Sequence, residues 1–234
     1  MIRVLSYNIR YGKKLSDILA WLQPQYKQYD VICLQEYPQS KRHLLEKHFE
    51  PQYQYVFSHG FTTKKDSFGQ VTLFDTSRLK TEHSTTVQLG SNVLEDAIHR
   101  HKGERTALIT KLINGEGGLL LVNTHLACLA INRQRRNQLQ LIVDHLHSIN
   151  DHKTQAKIIL GDFNYTSLMR QRSLVRFMTK NNFVSAYKES THKLLFFKHQ
   201  LDYAFYNNCK IHNVEVERIR FSDHYPVKFE VHFD

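Results

Sequence analysis

The chain has 234 residues, 41% hydrophobic and 23% charged, enough apolar material for a full core, which excludes an intrinsically disordered protein. Lys and Arg total 32 against 22 Asp and Glu; the resulting +10 favours polyanionic partners (nucleic acid, anionic lipid headgroups or phosphorylated metabolites) without choosing among them. Three cysteines, at positions 33, 128 and 209, form neither a C-x-x-C motif nor an even framework, so a disulfide scaffold is excluded and a reducing compartment is expected.

Met1 leads straight into Ile2, Val4 and Leu5 with no basic-then-apolar leader. No apolar run approaches the ~20 residues that span a bilayer. The expectation is a soluble, cytoplasmic protein, unless it is exported without an amino-terminal signal. No repeat, low-complexity tract or Pro/Gly/Ser linker divides the chain, so one domain over residues 1–234 is expected.

In chain order, residues 2–9 read as a strand ending near Asn8. Leu15, Ile18, Leu19 and Leu22 fall at helical spacing within 15–28, limited by Pro24. Residues 31–34 are a buried strand that delivers Gln35 and Glu36, and 40–49 an amphipathic helix. Short strands are expected at 53–57 and 71–74 around a polar loop, 61–70. Thr85–Leu89 reads as a strand, followed to residue 98 by a loop or helical turn. Thr106–Ile113 and Leu119–Asn123 read as a hairpin around Asn114-Gly115-Glu116-Gly117-Gly118, residues that tolerate positive φ. Residues 133–149 are the clearest helix. Then come a strand at 157–161, a helix at 167–180, and strands at Leu201–Tyr206, Ile211–Ile219 and Val227–Phe233. The mixture suggests an α/β sandwich, two mainly antiparallel sheets face to face with helices outside.

Polar residues recur at the ends of these strands: Asn8, Glu36, His125, Asp162 with Asn164, Asp202, and Asp223 with His224. Singly, each is more ordinarily a turn residue, a cap or a solvated carboxylate. Jointly they mark one place, where converging sheets would gather carboxylates, imidazoles and amides in one cleft. Metal-assisted hydrolysis of a phosphate ester needs such a set. Glu36 suits a hard Mg²⁺, and the ion would offset phosphate charge. Asp162 is the candidate general base, and side-chain amides can orient water and phosphate oxygens. His224 held by Asp202 would contact non-bridging oxygens. Zinc is disfavoured, because the histidines lack tight ligand spacing and no Cys pair supports them.

Ser6-Tyr7-Asn8, Leu34-Gln35-Glu36, Asn123-Thr124-His125, Gly161-Asp162-Phe163-Asn164, Leu201-Asp202-Tyr203 and Ser222-Asp223-His224 occur in the order of the endonuclease/exonuclease/phosphatase superfamily, which the chain resembles from residue 6 to residue 227. The resemblance implies a four-layer α/β sandwich of DNase I type, Mg²⁺ or Mn²⁺ dependence and in-line attack on phosphorus. It implies Glu36 as main metal ligand, Asn8 and Asp223 completing the metal and phosphate shell, Asp162 as base, Asn164 as orienter and Asp202–His224 as the charged pair. His125 joins the catalytic set. Some motifs depart from the abasic-site repair enzymes of the superfamily: Arg10 replaces their Asp, His125 their Tyr and Cys128 their Asn. His125 is instead similar to the branch of DNase I, the sphingomyelinases, the inositol polyphosphate 5-phosphatases and the phosphodiesterase that removes tyrosyl adducts from 5′ DNA ends.

Three functions are in view: a nuclease acting on DNA or RNA, a phosphoinositide phosphatase or sphingomyelinase-like enzyme, and an inactive binding module. No catalytic position is missing, which disfavours the last. The +10 charge favours polyanions of either kind, and the absence of a membrane anchor or long apolar surface run leans towards the first. Basic stretches at Lys41-Arg42, Lys64-Lys65, residues 99–102, residues 133–136, and Arg170 with Arg172 are solvated faces or backbone contacts. Asn123, Arg135 and Arg136 are the candidate substrate contacts, at least one of the arginines being expected to reach solvent beside the cleft.

Overall fold

The computed structural model describes residues 1–91, 96–98, 102–149, 154–194 and 197–233. The elements run β1 (Ile2–Asn8), α1 (Leu15–Leu22), β2 (Val31–Pro38), α2 (His43–His48), β3 (Tyr53–Thr62), β4 (Ser67–Asp75), β5 (Lys80–Gln88), β6 (Lys102–Gly103), β7 (Thr106–Asn114) and β8 (Gly117–His125). They continue with α3 (Asn132–Ser148), β9 (Thr154–Asp162), α4 (Leu168–Lys180), β10 (Val184–Ser185), β11 (His192–Leu194), β12 (Phe197–His199), β13 (Asp202–Asn207), β14 (Cys209–Val216) and β15 (Val227–Phe233).

The first helix stops at Leu22, within the limit set by Pro24, and the chain then makes only a 3₁₀ turn at Tyr26–Gln28. Two sequence expectations are corrected. The expected loop 61–70 is largely strand: β3 and β4 pair up to Thr62↔Ser67, and Thr63 N donates to Asp66 O across a tight turn. The strand near 85–89 begins at Lys80; its polar first half lies on a sheet edge and faces solvent, so it carries no apolar signal. Of the segment expected to turn or loop after it, residues 92–95 lie outside the described residues, as do 99–101 of the basic stretch.

The strands form a seven-stranded sheet in the order β14-β15-β1-β2-β4-β3-β6 and a six-stranded sheet in the order β10-β13-β9-β8-β7-β5, with β11 and β12 as a separate two-stranded ladder. Alternation along each strand decides what lies between the sheets. Ile2 and Val4, Val31 and Cys33, Leu119 and Leu121, Ile158 and Leu160 meet in one apolar layer. Their neighbours face outward. Leu5, Ile32 and Leu34 pack on Ile18, Leu19 and Leu22 of α1. Leu120, Val122 and Ile159 pack on Leu139, Ile142 and Val143 of α3 and on Leu174 and Met178 of α4. The result is the α/β sandwich with helices outside. Among the described residues, no helix is long and apolar enough to cross a membrane.

Most pairings are antiparallel, but the two at the centre are not. β1 runs parallel to β2, with Asn8 opposite Gln35, and β8 runs parallel to β9, with His125 opposite Asp162. Parallel strands end on the same side, so their carboxyl-terminal residues come together. The inner face is apolar for most of its length and then turns polar in step: Ser6 and Asn8, Gln35, Asn123 and His125, Asp162, Asp202. All are buried.

Asn123 closes the sheets over this transition. Its Nδ2 donates to Val71 O at 2.8 Å and Leu34 O at 3.3 Å, and its Oδ1 accepts from Gln35 Nε2 at 2.7 Å. It is fully buried. Asn123 is therefore a clip between sheets, and the expectation that it contacts substrate is corrected: every polar atom of its side chain is engaged inside the sandwich. Asn123→Leu should cost about 1–3 kcal/mol, the penalty for leaving buried partners unpaired, measured by urea denaturation. Substrate KM should hold; a raised KM at unchanged stability would restore Asn123 to the binding site.

Candidate active site

Glu36 reaches the site through an irregular strand. Leu34 pairs with Val71 but Tyr37 with Gly69, so β2 carries one extra residue there. By alternation Glu36 would point outward with Ile32 and Leu34. The bulge, with Glu36 in the left-handed region at φ 59°, turns it inward. Such a backbone costs roughly 1–3 kcal/mol and clusters at functional sites. The bend is clamped from both ends: Glu36 Oε1 accepts from Asn8 Nδ2 at 3.2 Å, and Oε2 accepts from Tyr11 N at 2.9 Å. Tyr11 lies in a turn whose three residues, Arg10, Tyr11 and Gly12, all have left-handed backbone.

Asp162 ends β9. Its Oδ2 accepts from Asn8 Nδ2 at 2.9 Å and lies 3.5 Å from His125 Nε2 and 3.6 Å from His224 Nε2. Its Oδ1 accepts from Asn164 N at 2.9 Å, while Asn164 Nδ2 donates to Leu126 O at 3.0 Å. Gly161 is required before it. Its φ is 128°, and a Cβ there would lie 2.0 Å from Thr124 O on the parallel neighbour β8.

His224 is held by Asp202, Nδ1 donating to Oδ2 at 2.8 Å. Asp202 is fixed in turn by Thr191, whose Oγ1 accepts from the amides of Leu201 and Asp202 at 3.1 and 3.0 Å. His125 has its Nδ1 3.1 Å from Arg105 Nη1. A guanidinium can only donate, so Nδ1 is the acceptor and the ring proton sits on Nε2, the nitrogen that faces Asp162. Arg105 is itself buried, with its guanidinium 4.3 Å over the ring of Phe61.

The family model of the endonuclease/exonuclease/phosphatase family matches residues 5–224. The chain belongs to this family. Its members are phosphoric ester hydrolases, and so is this protein. Solved structures share the fold. An endonuclease/exonuclease/phosphatase from Bacteroides vulgatus superposes with TM-score 0.79 at 17% identity, covering 100% of this chain and 99% of that one. TDP2 from D. rerio, complexed with a single-strand DNA product, gives 0.73 at 14% identity over 97% of each chain. A mannosyl-6-phosphatase from Bacteroides thetaiotaomicron gives 0.73 at 17% identity over 100% of each. No curated protein matches the sequence.

In this member of the family, the expected residues divide into those that converge and those that do not. Asn8, Glu36, His125, Asp162, Asn164, Asp202 and His224 share one buried cluster. Asp223 lies at its rim, 3.2 Å from Arg10 Nε and 3.9 Å from His192 Nε2. Asn8 presents its nitrogen, not its oxygen, to Glu36 and Asp162; its Oδ1 accepts from Arg10 N at 3.0 Å. Arg135 is corrected outright. It is buried, its Nε donates to Ala127 O at 2.8 Å, its Nη2 donates to Cys128 O, and its guanidinium lies 5.5 Å from the centroid of the Tyr165 ring. It braces the loop after His125 from inside the fold, and does not reach solvent beside the cleft. Arg136 is exposed and donates to Ser173 Oγ at 2.8 Å. Arg105, His192 and Tyr11 were not expected; Arg105 precedes β7 in a polar segment with no motif to mark it.

Burial governs the charges. It pushes the Asp162 carboxyl up to about 7, with Asp202 and Glu36 adding to the rise and His224 opposing it. Burial also raises Glu36, against the pull of Arg105 and the Asn8 amide. For His224 burial disfavours the cation, but Asp202, Asp162 and Asp223 outweigh it and carry the imidazole up to about 10. His192 goes the other way, to about 4, through burial and the neighbouring His224. A folded value for His224 above the unfolded 6.5 means its stabilisation is complete below 6.5 and lost as pH rises through about 10. Asp202→Asn should therefore destabilise the metal-free protein more at about pH 6 than at about pH 10, and NMR should show the His224 titration moving down. An unmoved His224 titration would mean that Asp202 does not hold it.

Proposed function

We propose that this phosphoric ester hydrolase is a divalent-metal-dependent phosphodiesterase that cleaves nucleic acid. The observation that carries the reading is the convergence on Asp162 Oδ2 of Asn8 at 2.9 Å, His125 at 3.5 Å and His224 at 3.6 Å, all inside a buried cleft end. Asp162 takes the proton of the attacking water. Asn164, with its amide nitrogen on Leu126 O, orients that water. His224, kept cationic by Asp202, and the Nε2–H of His125 donate to non-bridging phosphate oxygens. Arg10, beside Asp223, and Arg136 offer positive charge at the rim.

The donor set fits a hard cation. Glu36 and Asp162 bring carboxylate oxygens within 4.8 Å of each other, with the His125 ring beside them. The two carboxylates oppose each other's ionisation, and oxygen donors suit Mg²⁺ or Mn²⁺. Glu36 would be the main ligand, with Asn8 contributing Oδ1 after a half-turn of its amide. When bound, the ion supplies charge neutralisation at the phosphate and stabilises the leaving oxygen.

The charge of +10 supports a polyanionic substrate, as does the likeness to a protein solved with a single-strand DNA product. One observation favours a lipid instead. Ile131, Leu168 and Met169 are 61%, 72% and 82% exposed, at the starts of helices that leave the site end of the second sheet. That apolar rim would suit a phosphoinositide or sphingomyelin in a bilayer. The likeness to a mannosyl-6-phosphatase also leaves a phosphomonoester in the comparison. Free Cys33, Cys128 and Cys209 are in keeping with the cytoplasm.

Purified protein assayed with Mg²⁺ should hydrolyse DNA or RNA and leave phosphoinositide and sphingomyelin vesicles intact; the opposite pattern would replace the nuclease with the lipid enzyme. Asp162→Asn should fold and lose roughly 10²–10⁴ in turnover, the worth of a positioned general base. Unchanged turnover would remove Asp162 from that role. A second check uses pH. The folded value of about 7 for Asp162 exceeds the unfolded 3.8, so in the metal-free protein its contribution to stability is complete below 3.8 and lost as pH rises through about 7. The ion needs the carboxylate, so the Tm gain on adding Mg²⁺ should grow from about pH 5.5 to about pH 8. A gain constant across that range would place the ion away from Asp162.

A further inference from the structure

A groove of about 920 Å³ opens beside the active site and is absorbed by none of the chemistry above. Three segments build it: the β1–α1 turn, the stretch after β2, and the β3–β4 turn. Lys13 and Lys14 come from the first, Lys41 from the second, and Lys64 and Lys65 from the third. All five are exposed. Lys14 Nζ lies 3.4 Å from Arg220 O, and Lys13 Nζ lies 6.0 Å from the centroid of the Tyr11 ring. Lys41, Lys64 and Lys65 form no side-chain ion pair with a described residue. Two carboxylates share the lining. Asp66 is taken up by Ser40 Oγ and by the amides of Ser40 at 3.3 Å and Ser67 at 2.7 Å; Asp17 sits in the first turn of α1. Positive charge is left unanswered.

The groove is continuous with the catalytic centre. Tyr11 lines it and donates its amide to Glu36, while Pro38 lines it two residues after Glu36. The Tyr11 ring is partly exposed and is held edge-on by Phe68 at 5.2 Å and Phe61 at 5.9 Å. A braced aromatic among flexible point charges is the equipment of single-strand binding: bases stack on the ring and ammonium groups follow the phosphates. A bilayer is a poorer fit. None of the exposed large apolar side chains lines the groove, and those near the site, Ile131, Leu168 and Met169, stand at the starts of α3 and α4 on the other sheet.

We propose that this lysine groove is a binding track for the backbone of a single nucleic-acid strand, carrying the phosphates next to the one being cleaved. It rests on the nucleic-acid reading of the site and says where the rest of the substrate lies. Phosphate contacts by lysine fix register but read no sequence, so cleavage is weakly sequence-dependent while KM depends on strand length.

The test compares wild type with Lys64→Gln/Lys65→Gln and with Lys41→Gln, each assayed with Mg²⁺ on bis(p-nitrophenyl) phosphate and on single-stranded oligonucleotides of increasing length. The small diester fills only the centre, so its turnover should be the same in all three proteins. For oligonucleotides the double variant should raise KM about tenfold at low salt with kcat kept. It should also flatten the salt dependence by two contacts, about 0.7 each in log–log slope. Equal KM and equal salt slope in wild type and variants, with strands still cleaved, would overturn the groove and leave the nuclease. Wild type that hydrolyses the small diester but no strand of DNA or RNA would overturn both. Phosphatidylserine vesicles that bind wild type but not the double variant, with oligonucleotide KM unaffected, would assign the lysines to a membrane and overturn the track.

Discussion

Glu36 and Asp162 are brought within reach of a single amide nitrogen, that of Asn8, and two buried carboxylates so close repel each other. The surroundings answer this repulsion. Two backbone amides, from Tyr11 and Asn164, each donate to one of the acids. Imidazoles from His125 and His224 stand on either side of Asp162. Arg105 places a full positive charge behind His125. None of these groups neutralises the pair, and both carboxyls remain raised. A site left short of positive charge is one in which a cation or a phosphate-bound ion finds a use, so the tension is the chemistry.

Backbone geometry shares the burden. Glu36, Asn164 and the turn at Arg10 to Gly12 all adopt left-handed conformations, and Gly161 a positive φ open to glycine alone. These positions surround the two acids. They are tolerated because the sheets on either side are regular and well packed, and each bend carries a side chain to a place that strict alternation would deny it.

Much of this was legible in the sequence. Apolar runs that end in Asn8, Glu36, His125 and Asp162, and one that Asp202 begins, mark strands, and a shared position at strand ends marks the cleft. The family's motifs carry the architecture because most of them sit at strand ends; Ser222-Asp223-His224 lies in the connection between β14 and β15. What was misread was readable by a rule left unapplied. Asn123 has the parity of Leu119 and Leu121, which face the other sheet, so it too had to lie inside. Arg135 stands four residues before Leu139 and seven before Ile142, on the buried stripe of α3, so it belonged to the core face despite its charge. Other features had no signal. The role of Arg105 depends on a fold that brings it to His125, 20 residues on. The extension of β5 depends on an edge, where polar residues pair as well as apolar ones. The lysine groove joins three segments that no local pattern relates.

The centre also has a history in time. Asn8 touches Asp162 across 154 positions of sequence, and β1 pairs on one side with β15, Ile2 opposite Val231. A ribosome delivers β1 well before β15, at roughly 5–20 residues per second, and β1 waits for that partner while the chain between them is made. Until β15 emerges, the strand that carries Asn8 has a bare edge, and until β9 emerges, the strand that ends in His125 lacks its parallel neighbour. The cluster around Asp162 therefore cannot assemble piecemeal during synthesis. Asn8 meets Asp162 only once β9 is made, and Asp202 meets His224 only once the segment before β15 has followed.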